Sequence, residues 1–181
     1  MRKINEIFYS LQGEGYHTGT PAVFIRFSGC NLHCSFCDTR HEDGKMMTDE
    51  EIVAEVVKYP TRMVVFTGGE PSLWIDKTLI DQLHDHNKYI TIETNGTHNL
   101  PDGIDWITCS PKEGGEVVLN RIDELKVVYQ GQSLEQYNRY ITPNRFLQPC
   151  SNKNVQETIE CIKQNPEWRL SMQIHLITHI R

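Results

Sequence analysis

Hydrophobic residues occur along this chain in short runs that polar and turn-forming segments separate. Such runs are typical of β-strands, and we predict seven strands, at residues 22–27, 63–66, 89–92, 104–109, 125–128, 145–147 and 170–174. Most runs are apolar throughout, which favours strands of a parallel sheet that is covered on both faces. Only the last run alternates, with Leu170, Met172 and Ile174 on one side, and it predicts an edge strand.

The segments between these runs contain helical patterns. Thr48 and Glu51 form a capping-box sequence ahead of apolar residues that share one helix face, so we predict that a helix begins there. Amphipathic spacing predicts further helices at residues 72–86 and 153–164, and a shorter one at 134–140. Residues 95–103 and 111–120 are irregular and turn-rich, which predicts two strand-to-strand connections without helices.

Alternating strands and helices indicate an α/β fold. A closed eight-fold barrel typically needs about 250 residues, and this chain has 181. We therefore predict a partial, open (β/α)6-type barrel with few helices. No repeat, linker or change in composition marks a boundary, so we expect a single domain over residues 1–181.

The composition narrows the classes of function. Eighteen Lys and Arg residues against 24 Asp and Glu residues give a net charge of −6, which argues against a broad surface for nucleic acid or anionic membrane. The longest apolar stretches are far shorter than the roughly 20 residues that a bilayer crossing needs. The first residues are too polar for a signal peptide. We expect no membrane span and a cytoplasmic protein.

Three of the six cysteines, Cys30, Cys34 and Cys37, lie within one predicted loop with the spacing C-x3-C-x2-C. Thiolates at this spacing can converge on one metal centre. A four-iron cluster held by three cysteines keeps one iron open for catalysis. The alternative is a zinc loop completed by His33, His41 or a distant cysteine. We favour the cluster. Cys109, Cys150 and Cys161 are isolated, and we predict no role for them.

Polar residues follow several predicted strands, at the edge of a parallel barrel where ligands bind. They are found at residues 67–71 (Thr-Gly-Gly-Glu-Pro), 93–96 (Glu-Thr-Asn-Gly), 110–112 (Ser-Pro-Lys) and 148–149 (Gln-Pro). Each of them is also compatible with an ordinary turn. Together with the cysteine loop, they predict an active site at this edge.

Arg26 stands in an apolar strand, where a buried guanidinium needs an anion. A ligand carboxylate would serve, and the alternatives are a salt bridge to Glu14 or Glu70, or an outward-facing side chain. Gln12 and Glu14 lie between glycines, where they form either a plain turn or a reader of a guanine-like or pterin-like ring. Lys126, in the fifth predicted strand, could face either way.

These motifs resemble the radical S-adenosylmethionine (SAM) superfamily, through the cysteine spacing with Phe36 and through residues 68–71 (Gly-Gly-Glu-Pro). More narrowly, they resemble the family of 7-carboxy-7-deazaguanine synthases, through residues 11–15, 37–39, 67–71, 93–96, 110–112 and 147–149. This resemblance implies one radical SAM domain with its cluster loop at residues 28–40. It also implies a ring-contracting carbon–nitrogen lyase. Such enzymes convert 6-carboxy-5,6,7,8-tetrahydropterin to 7-carboxy-7-deazaguanine with release of ammonia, in the biosynthesis of queuosine and other 7-deazapurines.

In such enzymes SAM binds the open iron, its cleavage starts the reaction by hydrogen abstraction from C6 of the pterin, and SAM is regenerated. The resemblance assigns Cys30, Cys34 and Cys37 to the 4Fe-4S cluster and Thr39 to Mg²⁺. It assigns cofactor binding to Phe36, Asp38, Gly69, Glu70, Glu93, Ser110, Pro111, Lys112 and Gln148. It assigns substrate binding to Leu11, Gln12, Gly13, Glu14, Arg26 and Thr67.

The resemblance also implies partners, namely the small pterin substrate, a flavodoxin-like reductant and a second copy in a homodimer. The family's terminal residue can touch substrate, but the differing sequence around Leu176 leaves Arg181 without a predicted role. Two alternatives remain. One is an activating enzyme for a glycyl-radical enzyme, which shares the cysteine loop but needs a protein-sized groove. The other is a non-catalytic zinc-binding scaffold, which leaves the polar strand ends unexplained.

Overall fold

The computed structural model describes residues 1–37, 39 and 41–180. In this part of the chain the strands are β1 (Arg2–Leu11), β2 (Pro21–Phe27), β3 (Lys45–Met47), β4 (Met63–Gly68), β5 (Tyr89–Thr94), β6 (Trp106–Cys109), β7 (Glu124–Tyr129), β8 (Asn144–Pro149) and β9 (Arg169–Leu170). The α-helices are α1 (Asp49–Val56), α2 (Lys77–Asp85), α3 (Val155–Gln164) and α4 (Ile174–Thr178).

All of these strands belong to one sheet, in the order β3-β1-β2-β4-β5-β6-β7-β8-β9. The strands from β2 to β9 in this order pair in parallel, whereas β1 is antiparallel to both β2 and β3. The prediction of an open, helix-poor α/β barrel is confirmed. The parallel part has one strand more than the six expected, because the two-residue β9 extends it.

Two strands were missing from the prediction, and one was wrong. β1 was missed because its buried positions include the charged Arg2, and because a register shift between Ile4 and Glu6 interrupts its alternation. β3 is only three residues long. The predicted strand 170–174 keeps only Leu170, at the expected edge, because the backbone then turns inward and Ile174 N donates to Gly13 O at 3.0 Å.

The helix predicted to begin at Thr48 and the helix predicted at residues 153–164 are confirmed, as α1 and α3. Glu51 N donates to Thr48 Oγ1 at 3.2 Å, and Thr48 N donates to Glu51 Oε2 at 2.8 Å, so the capping box is confirmed. The predicted helix 72–86 is split into a 3-10 turn at Pro71–Leu73 and α2, because Asp76 caps the start of α2. The predicted helix 134–140 is only a 3-10 turn, at Glu135–Tyr137.

The predicted helix-free connections are confirmed: residues 95–105 and 110–123, all of which are described, contain no helix. The second half of the parallel sheet therefore has less helical cover than the first. α1 and α2 cover the outer face of the first half, where an apolar core includes Ile25, Val64 and Leu79. α3 contributes Cys161 and Ile162 to a second, smaller core around Leu125 and Leu147. No described helix is long and apolar enough to cross a membrane.

The sheet is curled rather than flat. In the strand order, β2, β4, β5 and β6 stand between β1 and β7. At about 4.8 Å per strand, a flat sheet would hold β1 and β7 about 24 Å apart. Lys126 of β7 nevertheless forms a salt bridge with Glu14, which lies just beyond β1. The loop after β1 therefore approaches β7 across the interior of the curled sheet.

Candidate active site

A cavity of about 810 Å³ opens at the carboxyl ends of the parallel strands. It is lined by every predicted site residue in the described part of the chain except Pro111: Leu11, Gln12, Gly13, Glu14, Arg26, Cys30, Cys34, Phe36, Cys37, Thr39, Thr67, Gly69, Glu70, Glu93, Ser110, Lys112 and Gln148. Asp38 and Arg181 lie outside the described residues. The structure thus brings the predicted residues together, while their individual roles stay predictions.

Strand alternation explains how one face carries so many polar groups. On β2 and β4 the apolar Val23, Ile25, Val64 and Phe66 pack into the outer core. The positions between them face the interior, and toward the carboxyl ends they become polar. The inward-facing residues of this polar layer are Arg26, Thr67, Glu93, Lys126 and Gln148. Because the strands are parallel and in register, their polar ends meet at one edge.

The most tightly connected part of the cavity is a cluster that we call the carboxylate cluster, formed by Gln12, Glu14, Glu93 and Lys126. Lys126 Nζ donates to Glu14 Oε2, and to Glu93 Oε1 at 3.0 Å. Gln12 Nε2 also donates to Glu93 Oε1, at 3.3 Å, while Thr67 Oγ1 donates to Glu93 Oε2 at 2.9 Å. Glu14 N donates to Gln12 Oε1 at 3.1 Å. The cluster is therefore held together by its own side chains.

Burial sharpens the electrostatics of this cluster. Burial alone would lower the pKa of Lys126, but the carboxylates of Glu14, Glu93 and Glu124 raise it well above its usual value. Burial alone would raise the pKa of Glu14, but Lys126 and hydrogen bonds from neighbouring amides lower it. One such bond runs from Gln173 Nε2 to Glu14 Oε1 at 2.8 Å. At neutral pH Lys126 and Glu14 therefore carry opposite charges.

Sequence reasoning missed two members of this site. Lys126 was left undecided between the two faces of its strand, and Gln173 was placed in a strand that does not form. The available signal for Lys126 was a lone lysine in the apolar strand 125–128, which needs an anion if it is buried. Only the fold shows that Glu14 and Glu93 supply that charge.

Arg26 faces the cavity, as the ligand-binding alternative required. Its Nε donates to Glu6 Oε1 at 2.9 Å, so the alternative pairings with Glu14 or Glu70 and the outward-facing orientation are wrong. Its Nη1 lies 3.5 Å from Thr39 Oγ1, and its guanidinium lies 5.7 Å from the centre of the Phe8 ring. A pair with a ligand carboxylate stays a prediction.

The cysteine loop follows β2 and borders the same cavity. Cys30 and Cys34 are half-buried, Cys37 is exposed, and all three thiols are free. Among the described residues, no three His, Cys, Asp or Glu side chains converge on one metal position in this conformation. Burial raises the pKa of Cys30 and of Cys34. Metal ligation favours thiolates and would oppose that shift.

The turn after β4 is packed directly against the start of the cysteine loop. Gly69 N donates to Phe27 O at 3.0 Å, and Glu70 N donates to Gly29 O at 2.8 Å. A Cβ atom at Gly69 would lie 1.8 Å from Gly29 O. Glycine is therefore required at position 69 for the close approach of these two backbones, whatever else the turn binds.

Glu70 is 1% exposed, and internal donors surround its carboxylate. Thr94 Oγ1 donates to Glu70 Oε1 at 2.6 Å, and Ser72 N donates to the same oxygen at 3.1 Å. Asn95 N donates to Glu70 Oε2 at 2.8 Å. Glu70 thus ties the turn after β4 to the end of β5, and a contact with a cofactor would be an addition to this role.

The predicted SAM-binding residues Ser110, Lys112 and Gln148 line the cavity at the ends of β6 and β8. Lys112 Nζ donates to Ser110 O at 2.9 Å, and burial together with the charge of Lys126 lowers the pKa of Lys112. Gln148 is buried, and its Oε1 accepts a hydrogen bond from Ser171 Oγ at 2.8 Å.

Comparisons with known proteins agree with this geometry. Residues 24–166 match the sequence profile of the Radical SAM superfamily. The chain is 64% identical over 181 residues to the 7-carboxy-7-deazaguanine synthase of Bacteroides thetaiotaomicron, a match that covers 100% of both chains. The chain belongs to the 7-carboxy-7-deazaguanine synthase family. A relative of the same name from Bradyrhizobium diazoefficiens is 40% identical, with 98% of both chains covered.

The fold of the family is equally clear. The crystal structure of QueE from Escherichia coli superposes with a TM-score of 0.78 at 33% identity, covering 95% of this chain and 93% of that one. The chain is therefore a radical SAM enzyme, and neither the glycyl-radical activating enzyme nor the zinc scaffold is favoured. The superfamily implies a 4Fe-4S cluster and SAM. Three free thiols on one loop beside the cavity provide the donor set for such a cluster.

Proposed function

We propose that this protein converts 6-carboxy-5,6,7,8-tetrahydropterin to 7-carboxy-7-deazaguanine with release of ammonia, as a step in the biosynthesis of queuosine or another 7-deazapurine. The observation that carries the proposal is a single cavity that joins the three cysteine thiols to the buried carboxylate cluster. The cofactor that supplies the radical must lie beside the substrate atom that reacts. A radical reaction therefore needs a cofactor site and a substrate site within one cavity.

The protein's own residues would act by binding and orientation. When bound, the cluster and SAM supply the radical chemistry. Cys30, Cys34 and Cys37 would hold the cluster. The SAM site would be built from Phe36, Asp38, Gly69, Glu70, Ser110, Pro111, Lys112 and Gln148. The described residues of this set, except Pro111, line the same cavity as the cysteine thiols, which supports this division.

The substrate would bind at the other end, through Leu11, Gln12, Gly13, Glu14, Arg26 and Thr67. Glu93 was predicted on the cofactor side, but its contacts support the substrate side. Its carboxylate accepts hydrogen bonds from Gln12 and Thr67 and pairs with Lys126. We therefore propose Glu93 as a substrate ligand. Ionised carboxylates accept N–H donors such as those on the pterin's aminopyrimidinone ring.

Arg26 would balance the substrate carboxylate, and Thr39 would contact Mg²⁺ together with that carboxylate. The 3.5 Å distance between Arg26 Nη1 and Thr39 Oγ1 supports a shared site for the two groups. By resemblance to the family, we also propose a single radical SAM domain, a homodimer, a flavodoxin-like reductant and a cytoplasmic location.

The test is anaerobic reconstitution with iron and sulfide, followed by incubation with SAM, a reductant, Mg²⁺ and the pterin. Product is followed by mass-resolved chromatography, and SAM cleavage is measured in the same samples. Cys34→Ala removes a predicted cluster ligand. Cys161→Ala is its matched control, because Cys161 lies on α3 and does not line the cavity.

We expect product from the wild type and from the Cys161 variant, without stoichiometric loss of SAM, and neither product nor SAM cleavage from the Cys34 variant. A protein that cleaves SAM but makes no 7-carboxy-7-deazaguanine would overturn the substrate assignment. Omission of Mg²⁺ in a parallel sample tests the metal proposal separately.

A further inference from the structure

Lys126 has no role in the assignments above, although it is the most buried cation of the cavity. We propose that Lys126 is a positioning residue that keeps Glu14 ionised and holds Glu14 and Glu93 in the orientation that accepts the N–H donors of the substrate ring. This inference rests on the proposed function, because it takes the pterin as the ligand of the two carboxylates.

The geometry indicates that Lys126 holds two carboxylates in place at once, rather than forming one incidental salt bridge. The side chain of Lys126 is 7% exposed, and its ammonium contacts one oxygen from each carboxylate. Those carboxylates come from distant parts of the chain, Glu14 from the loop after β1 and Glu93 from β5. Lys126 therefore joins two walls of the cavity at one point.

Each carboxylate still has capacity for a ligand. An ionised carboxylate has about four lone-pair positions. Glu14 accepts hydrogen bonds from Lys126, Gln173 and Gln148, and Glu93 accepts them from Lys126, Gln12 and Thr67, so about one position stays open on each. Both side chains belong to the cavity lining. With their orientation fixed by Lys126, they present oxygen acceptors toward the space that a substrate would fill.

The charges that face Lys126 from the surrounding elements show why its own charge matters. Glu14, Glu93 and Glu124 contribute three carboxylates, and Lys112 contributes the other nearby cation. His175 of α4 also lines the cavity. If the positive charge of Lys126 is removed, the partly buried carboxylates keep their mutual repulsion and lose their main counter-charge. The cheapest response is to take up a proton.

Protonation would change what the cluster recognises. A protonated carboxyl group donates through its O–H and loses acceptor capacity, so it no longer matches a ring edge made of adjacent N–H donors. A structural role for Lys126 would lower stability alone. A positioning role would also weaken substrate binding, and that loss would shrink at higher pH, where the Glu14 carboxyl group ionises again.

The test compares Lys126→Met, Lys126→Arg and Lys163→Met in the reconstituted holoenzyme. Lys163 is the matched control, because it pairs with Glu160 at 2.9 Å on the surface of α3, with its side chain 64% exposed. We expect Lys126→Met to raise the KM for the pterin about 10-fold or more at neutral pH. Raising the pH should recover part of the loss, and Lys163→Met should match the wild type.

A second readout does not depend on the substrate. Isotope-edited infrared spectroscopy of holoenzyme labelled with carbon-13 in its glutamate carboxyl groups detects protonated side chains directly. We expect an additional protonated-carboxyl band at neutral pH in Lys126→Met, and none in Lys126→Arg or Lys163→Met. The band is readable even if the wild type fails to convert the pterin, so failure of the proposed function is distinguishable.

The proposed positioning role of Lys126 is overturned if Lys126→Met shows no additional protonated-carboxyl band. It is equally overturned if its KM and pH profile for the pterin match those of the wild type. Should Lys126→Met fail to fold, the charge-retaining Lys126→Arg decides: it must keep the wild-type pH profile, and a shifted profile contradicts the proposal.

Discussion

The two ends of the cavity are built differently. At the carboxylate cluster, Gln12, Glu14, Glu93 and Lys126 already contact one another through hydrogen bonds and salt bridges. At the cysteine loop, the thiols line the cavity but do not converge on one metal position within the described part of the chain. One end is thus organised by its side chains, and the other is organised around backbone turns.

This difference reflects where each end lies in the fold. Within the carboxylate cluster, Glu93 and Lys126 stand on strands, whose register fixes their side chains, and Gln12 and Glu14 lie in the loop directly after β1, where hydrogen bonds hold them. The cysteine loop lies beyond the end of β2 and is attached through Gly69, Glu70 and Trp74. We infer that the substrate end is preformed, whereas the cofactor end reaches its final geometry when the cluster binds. The following predictions test that contrast.

The largest effect is expected from Gly69→Ala. The new methyl group would meet Gly29 O at 1.8 Å, so the turn after β4 and the cysteine loop must separate. We expect near-complete loss of bound iron and of SAM cleavage, measured after reconstitution. Gly131→Ala is the control: nothing lies within 4 Å of the added atom, and its φ of +89° adds a backbone strain that position 69 does not have, so the control isolates the clash. Iron retained at the wild-type level by Gly69→Ala would contradict this account of the loop.

Glu14→Gln should affect only the substrate end of the cavity. It removes one charged acceptor of the carboxylate cluster and one partner of Lys126. Because hydrogen bonds to charged groups contribute about 1.5–3 kcal/mol, we expect product formation to fall about 10- to 100-fold. SAM cleavage and iron content should stay at wild-type values, as they should in the exposed control Glu116→Gln. Equal loss of both reactions would mean that the two ends are not separable.

Trp74→Phe is expected to have a moderate effect on the cofactor end. Trp74 Nε1 donates to Ser28 O at 2.7 Å, just before the cysteine loop, and the phenyl ring cannot replace that bond. We expect a loss of about 1 kcal/mol in the free energy of unfolding and faster release of iron to a chelator. The matched variant Trp106→Phe, which loses a 3.3 Å bond to Glu124, should release iron at the wild-type rate.

The smallest effect concerns pH and Glu124. Burial, more than any other cause, raises the pKa of Glu124 above its usual value of 4.5. The folded state therefore keeps a proton that the unfolded state loses, so the free energy of unfolding falls as pH rises through this range. Glu124→Gln removes that dependence. We expect its unfolding temperature to improve relative to the wild type as the pH rises above the usual value of 4.5; a difference that does not change with pH would refute the assignment.

Much of the architecture was predictable because it rests on local signals. Buried parallel strands are continuous apolar runs, and the capping box at Thr48 marks the start of α1. β1 and the end of β9 were not predictable, because long-range contacts decide them. Arg2 is buried within β1 since Asp49 and Asp76 neutralise it from other elements.

The residues of the candidate site also fall into two groups, those that local motifs reveal and those that long-range contacts decide. Residues in motifs, such as Cys30 and Glu70, were identified because their spacing or neighbours are distinctive. The pairs of Lys126 could not be identified, because they depend on how far the sheet curls. The pairing of Arg26 with Glu6 could not be identified, because it is a cross-strand pair with β1, a strand that was not predicted. The sequence shows which residues are polar, but only the folded structure shows which charged groups are in contact.

The contrast between the two ends is tested most directly by hydrogen exchange, with the reconstituted protein compared before and after iron is removed by chelation. We predict faster exchange in residues 29–37 without iron, and unchanged exchange in β5 and β7, which carry Glu93 and Lys126. Comparable acceleration in β5 and β7 would contradict the account, because the order of the carboxylate cluster would then depend on the bound 4Fe-4S cluster.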